Sequence, residues 1–144
     1  MQAHVIVAAL GGQRVLGKRV KNSADLAKLV RRGLPAGAVA ALARKLDLGS
    51  LRLSRKLGIP QRTLTRRVAQ RSRLTAAESD RTMRFARIFA HAVEMIGNEE
   101  KAVEWLRTPN RALNGERPVD VLDTDPGSRD VEDILGRIAY GVYS

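Results

Sequence analysis

SLRLSRKLGIPQRTLTRRVAQR, residues 50–71, is the stretch whose reading decides the fold. It holds two short helical patterns, 50–57 and 61–71, parted by Gly58-Ile59-Pro60. Gly58 can take the positive φ that ends the first helix, and Pro60 stands well at the start of the second. A helix-turn-helix needs a small residue where its two helices pack closely, a glycine at the turn and aliphatic residues on both sides. Ser54, Gly58, Leu53, Leu57, Ile59 and Leu64 fit those places. In such a unit the second helix lies in the DNA major groove with its N-terminal residues nearest the base edges. Gln61, Arg62, Thr63, Thr65 and Arg66 are therefore candidate DNA contacts, since Arg pairs with guanine and Gln with adenine. Arg55, Arg67 and Arg71 suit phosphates. Arg67 falls where an apolar residue often anchors the recognition helix, so Val68 is expected to supply that packing. A helical hairpin with no DNA role would share the packing residues but not this exposed face.

Working outward, helical periodicity continues on both sides. Ser23 is the expected N-cap of a helix over 24–32, with Leu26, Leu29 and Val30 on one face and Gly33 as its stop. Residues 36–46 form a second helix with Val39, Leu42, Ala43 and Leu46 inward. Thr75 to Glu78 spells a capping box, opening a long helix to Ile96 that Gly97 ends. Asn98 caps a helix over 99–106, with Glu99 and Glu100 at the favourable end of its dipole. Pro118 opens a single turn over 119–122. The segment 125–127 reads as a loop, and Ser128 as the cap of a last helix with Val131, Ile134, Leu135, Ile138 and Val142 inward. Only Val5-Ile6-Val7, ahead of a glycine-rich turn, reads as a strand. The expected fold is all-α: an N-terminal extension (1–22), a helix-turn-helix domain (23–73) and a small helical domain (74–144).

Charge divides the chain in the same way. The whole carries +11, and residues 31–73 alone hold twelve Lys and Arg against one acid, Asp47. Residues 94–144 hold eleven acids against six bases. A basic half suits a polyanion, whose affinity comes largely from neutralised phosphates and released counterions. The acidic half must do something else. Chemistry alone describes it as helical and acidic, with an apolar-aromatic tail suited to docking on a partner.

Other classes find little support. Residues 12–18 nearly spell a phosphate-binding loop, but Arg19 stands where Ser or Thr should hold magnesium. His4 and His91 are isolated, and Asp120, Asp123, Asp125, Asp130 and Asp133 lack the spacing of a calcium loop. No catalytic constellation is visible, so neither enzyme activity, cofactor nor metal is expected. There is no cysteine, which fits a reducing cytoplasm. No apolar run reaches the roughly 18 residues of a membrane span, and the apolar start has no Lys or Arg before it, unlike a signal peptide.

The run AVEWLRTPNRALNG at 102–115, followed by PVDVLDT at 118–124 and Gly127, resembles the toxin-binding domain of the MbcA/ParS/Xre antitoxin family. The ending RIAYGVYS at 137–144 is similar to that family's C-terminus. Arg66-Arg67, Leu74-Thr75 and residues 78–81 add to a likeness covering 24–144, and Asn114 stands where the family often has glycine. The resemblance implies a cognate RES-domain toxin that consumes or transfers from NAD, with its active site blocked by the C-terminal domain. It also implies operator DNA in the operon's own promoter as the second partner, and a homodimer. Trp105, Leu106, Pro109, Asn110, Leu113, Gly115 and Pro118 would shape the toxin-binding domain, with Trp105 and Leu113 structural rather than contacting. Arg137, Ile138, Gly141, Val142, Tyr143 and Ser144 would lie at or near the toxin's pocket. The alternative is a stand-alone regulator whose C-terminal domain only oligomerises.

Overall fold

The computed structural model describes residues 3–139. Expectations for Gly141, Val142, Tyr143 and Ser144 fall outside the described residues. Among those residues the chain is helical throughout, with one isolated bridge between Pro35 and Arg73. The helices are α1 (Ala3–Ala9), α2 (Gly12–Leu16), α3 (Ser23–Arg32), α4 (Gly37–Lys45), α5 (Ser50–Lys56), α6 (Gln61–Ala69), α7 (Ala76–Ile96), α8 (Glu99–Leu106) and α9 (Asp125–Ala139). Two 3-10 turns, Arg111–Leu113 and Pro118–Asp120, lie between α8 and α9.

The long helix α7 is the axis of the molecule. It begins at the capping box expected from sequence: the Glu78 amide donates to Thr75 Oγ1, and Glu78 Oε1 accepts from the Thr75 amide. Its apolar residues do not form one stripe. Phe85, Ala86, Ile88, Phe89, Ala90 and Ala92 are all buried, the pattern of a helix covered on several sides. α1 and α3 pack on it from the N-terminal half, α8 and α9 from the C-terminal half. One continuous core runs through both halves, from Ile6 and Leu10 to Val131 and Leu135.

Four local expectations are corrected. Val5-Ile6-Val7 belongs to α1, not to a strand; a short apolar run has no decisive period, and no neighbouring strand exists to pair with it among the described residues. α2 occupies part of the expected glycine-rich turn. α3 is capped by Asn22 rather than Ser23: the Asp25 amide donates to Asn22 Oδ1 at 3.0 Å, and Ser23 is already helical. α9 starts at Asp125, so the expected 125–127 loop is its first turn, where proline is tolerated. Thr124 Oγ1 accepts from the Gly127 amide, while Ser128 is buried and donates to Asp125 O at 2.9 Å. Gly127 is required there, because a Cβ would meet Val121 O at 1.9 Å.

Candidate nucleic-acid interface and partner-binding surface

Helices α5 and α6 form the helix-turn-helix unit. Ser54 is fully buried and its hydroxyl donates to Leu51 O at 2.9 Å, so the small side chain fits beneath the turn without an unpaired polar atom. Gly58 turns the chain at φ +72, and the Ile59 amide donates to Ser54 O at 2.9 Å. Leu53, Leu57, Ile59 and Leu64 are buried between the two helices.

The long helix braces both members of this pair. Arg81 Nε donates to Leu57 O at 2.8 Å, satisfying a carbonyl at the end of α5. Arg67 Nη1 pairs with Glu78 Oε1, the same oxygen that closes the α7 capping box. Burial pushes the Glu78 carboxyl up, but the Thr75 amide and the Arg67 guanidinium outweigh it and hold the group below its usual range. The side chains of Arg67 and Glu78 are only 19% and 13% exposed. Val68, expected to pack in place of Arg67, is instead 44% exposed. The helix is not turned to bring Val68 inward: Arg67 keeps the anchoring position and docks on Glu78, beside the buried Leu64.

That pose leaves Gln61, Arg62, Thr65 and Arg66 exposed together, with Thr63 half-buried on the flank. Arg55 and Arg71 are exposed as well, Arg71 in the left-handed conformation just past the end of α6. Seven of the eight expected DNA contacts thus reach the surface at least partly, and Arg67 is held by Glu78.

The two halves are stitched by ion pairs. Lys45 meets Glu99 at 2.8 Å, Asp47 meets Arg107 at 2.8 Å, and Lys56 meets Asp120 at 2.6 Å. Arg117 holds the same Asp120 carboxylate through Nε at 2.7 Å and Nη2 at 3.1 Å. Arg117 and then Lys56, against the opposing effect of burial, draw the Asp120 pKa down to about 2. Two cations counted toward the basic half, Lys45 and Lys56, therefore face the acidic half. Their partners lie more than fifty residues away in sequence, and no local pattern signals them.

In the C-terminal half, residues 107–124 form a compact irregular segment organised by Asn110. Its side chain is buried and accepts from the Ala112 amide at 2.9 Å. Its backbone donates to Glu116 O and accepts from the Gly115 amide. Asn114 and Gly115 both have positive φ, +58 and +85, which explains the asparagine in a place favouring glycine, since Asn tolerates the left-handed region best after Gly. Pro118 and Leu113 are buried, whereas Pro109, Gly115 and Arg137 are exposed and Ile138 half-buried. Asn110 and Pro118 thus shape the segment from within.

A groove lies beside Ile138, walled by Met95, Ile96 and Trp105 and rimmed by Lys101, Glu104 and Thr108. Trp105 is only half-buried and lines this groove as well as packing on the core. A lone tryptophan on a short helix does not announce that double placement.

These features define a helix-turn-helix protein with an appended helical domain fastened to it by a shared helix. Residues 25–87 match the antitoxin Xre-like helix-turn-helix domain, and residues 91–141 match the antitoxin Xre/MbcA/ParS C-terminal toxin-binding domain. The chain belongs to the Xre family of antitoxins. It is 33% identical to an antitoxin Xre of Photorhabdus laumondii, over 91% of this chain and 89% of that one. It is 31% identical to an antitoxin Xre of Yersinia enterocolitica with the same coverage. Its fold is similar to a chain in the crystal structure of the M. tuberculosis MbcT–MbcA toxin–antitoxin complex, with a TM-score of 0.55 at 22% identity, covering 76% of this chain and 96% of that one. Among the described residues no helix is long and apolar enough to cross a membrane, and no group of three or more acidic or histidine side chains could hold a metal.

Proposed function

We propose that this antitoxin neutralises a RES-domain toxin acting on NAD, blocking its active site with the C-terminal domain, and represses its own operon through α6. It acts in the cytoplasm as a homodimer. Residues 23–73 serve the DNA and 74–144 the toxin, with α7 carrying load for both, and Ile6, Leu10 and Leu16 of the N-terminal extension join the core.

The observation that carries the toxin reading is the groove of Met95, Ile96, Trp105 and Ile138. It is an apolar, part-open surface at the point where the chain enters its final run, residues 140–144. Pro109, Gly115 and Arg137 offer exposed contact positions on the same domain, while Asn110 and Pro118 keep its irregular segment in shape. Gly141, Val142, Tyr143 and Ser144 are the residues assigned to the toxin's pocket. The test is deletion of residues 141–144 with co-expression of the toxin encoded beside the gene. Growth arrest is the expected result, with the truncated protein still folded by circular dichroism. Survival equal to that given by the intact chain overturns the tail's inhibitory role.

The DNA reading is supported by the exposed face of Gln61, Arg62, Thr65 and Arg66, residue types able to read base edges. Arg55 and Arg71 serve as phosphate contacts flanking it, and Thr63 contributes from the flank. Arg67 acts through Glu78 to set the angle of the helix, not on a phosphate.

A further inference from the structure

A second basic surface lies outside the helix-turn-helix. The loop after α2 and the exposed face of α3 enclose a cleft of about 470 Å3, lined by Lys18, Arg19, Lys28, Arg31 and Arg32. All five cations are exposed. Among the described residues, Lys45, Lys56 and Arg67 are tied to carboxylates, but none of these five is in an ion pair. One acid, Asp25, stands at the rim, and its Oδ2 already accepts the Lys21 amide at 2.9 Å. Five like charges converging against one carboxylate repel one another, so the cleft is held at a cost that a polyanion would relieve.

The cleft is also joined to the recognition helix. α3 ends in Arg31 and Arg32, and the next residue, Gly33, lies against the segment that leaves α6. Arg73 Nη1 donates to Gly33 O at 2.9 Å, the Leu74 amide to Leu34 O at 2.8 Å, and the Ala36 amide to Ser72 O at 3.0 Å. The approach is close enough that a Cβ on Gly33 would meet Leu74 O at 2.2 Å. The end of α3 is therefore fixed beside the residues that follow exposed Arg71.

We propose that this cleft is a second phosphate-backbone contact, binding the DNA duplex beyond the segment read by α6. The proposal rests on the DNA-binding reading of α6 and extends it. Duplex DNA fits the cleft because five Lys and Arg side chains line it against one acid, and the end of α3 is held beside the segment that leaves the recognition helix. The cleft would add affinity without sequence preference, since phosphate contacts position a protein and do not specify the base.

The test uses the full chain, a 60-base-pair duplex from directly upstream of its gene, and a salt series read by fluorescence anisotropy. Each lost phosphate contact lowers the slope of log affinity against log salt by about 0.9. The triple variant K18A/R19A/K28A is expected to lower that slope by about 2–3 and to bind at least tenfold more weakly in low salt, with an unchanged Tm. Lys28→Glu alone, at an exposed helical position, should weaken binding in the same direction. Wild-type protein that fails to bind the duplex at all overturns the DNA reading, and this proposal with it. Wild-type binding with an unaltered slope in the variants overturns the proposal alone. Variants that bind DNA normally but no longer rescue cells from the toxin make the cleft a protein contact, which also overturns it.

Discussion

Lys56 Nζ lies 2.6 Å from Asp120 Oδ1, joining the first helix of the helix-turn-helix to the last 3-10 turn of the toxin-binding domain. Arg117 grips the same carboxylate from within that domain. Two cations on one acid make Asp120 one of three points, with Glu99 and Asp47, at which ion pairs fasten the halves.

The depressed Asp120 pKa, about 2 against an ordinary 3.8, gives the pH dependence its sign. A group whose folded pKa is lowered contributes stability above its unfolded pKa and loses it as pH falls through the folded value. Between pH 4 and pH 2 the wild type should therefore lose more Tm than Asp120→Asn, whose side chain does not titrate. At pH 7 the variant should be less stable by about 1–2 kcal/mol, the low end for hydrogen bonds to charged groups because all three side chains are partly exposed. Thermal melts across the pH series measure both, and parallel acid limbs would remove Asp120 from the account.

Arg67 and Glu78 should behave as a coupled pair. Each alanine substitution is expected to destabilise the fold by about 1–2 kcal/mol, and the double variant by less than the sum. Urea unfolding of the four proteins gives the cycle. Strict additivity would mean that the pair does not dock α6 on α7.

Arg62→Ala and Arg66→Ala should leave stability within about 0.5 kcal/mol, as for exposed positions without partners. Each should weaken operator binding by about 1–3 kcal/mol if it pairs with a base. Gel-shift titration at fixed salt compares them, and unchanged affinity in both variants excludes this helix face.

Gly127→Ala should destabilise by about 2–3 kcal/mol, because the added methyl meets the Val121 carbonyl at 1.9 Å and α9 must move to admit it. Gly136→Ala, on the same helix with open space at its Cα, should be neutral or slightly stabilising. Equal chemical-denaturation midpoints for the two variants would show that the close approach at Gly127 is not maintained in solution.

Much of this was legible along the chain. The turn at Gly58, the capping box at Thr75 and the stops at Gly33 and Gly97 are local signals, each made by residues within a few positions of one another. Val5-Ile6-Val7 misled because a short apolar run fits either period, and only burial against α7 chooses the helix. Asp125-Pro126-Gly127 misled because the same residues that favour a turn are also tolerated in a helix's first turn. At the site, the exposure of Arg62 and Arg66 follows from the amphipathic pattern, but the engagement of Arg67 does not.

The basic helix-turn-helix face and the helical, acidic character of the second half were determined by sequence alone, because helix periodicity and charge are properties of neighbours. Which cations remain available was decided by tertiary structure. Lys45, Lys56 and Arg67 are indistinguishable in sequence from Arg62 and Arg66, yet the first three meet Glu99, Asp120 and Glu78. The last two meet solvent. Ion pairing acts over a few ångströms of space whatever the separation along the chain, so only the packing of α7 against both halves could assign those charges.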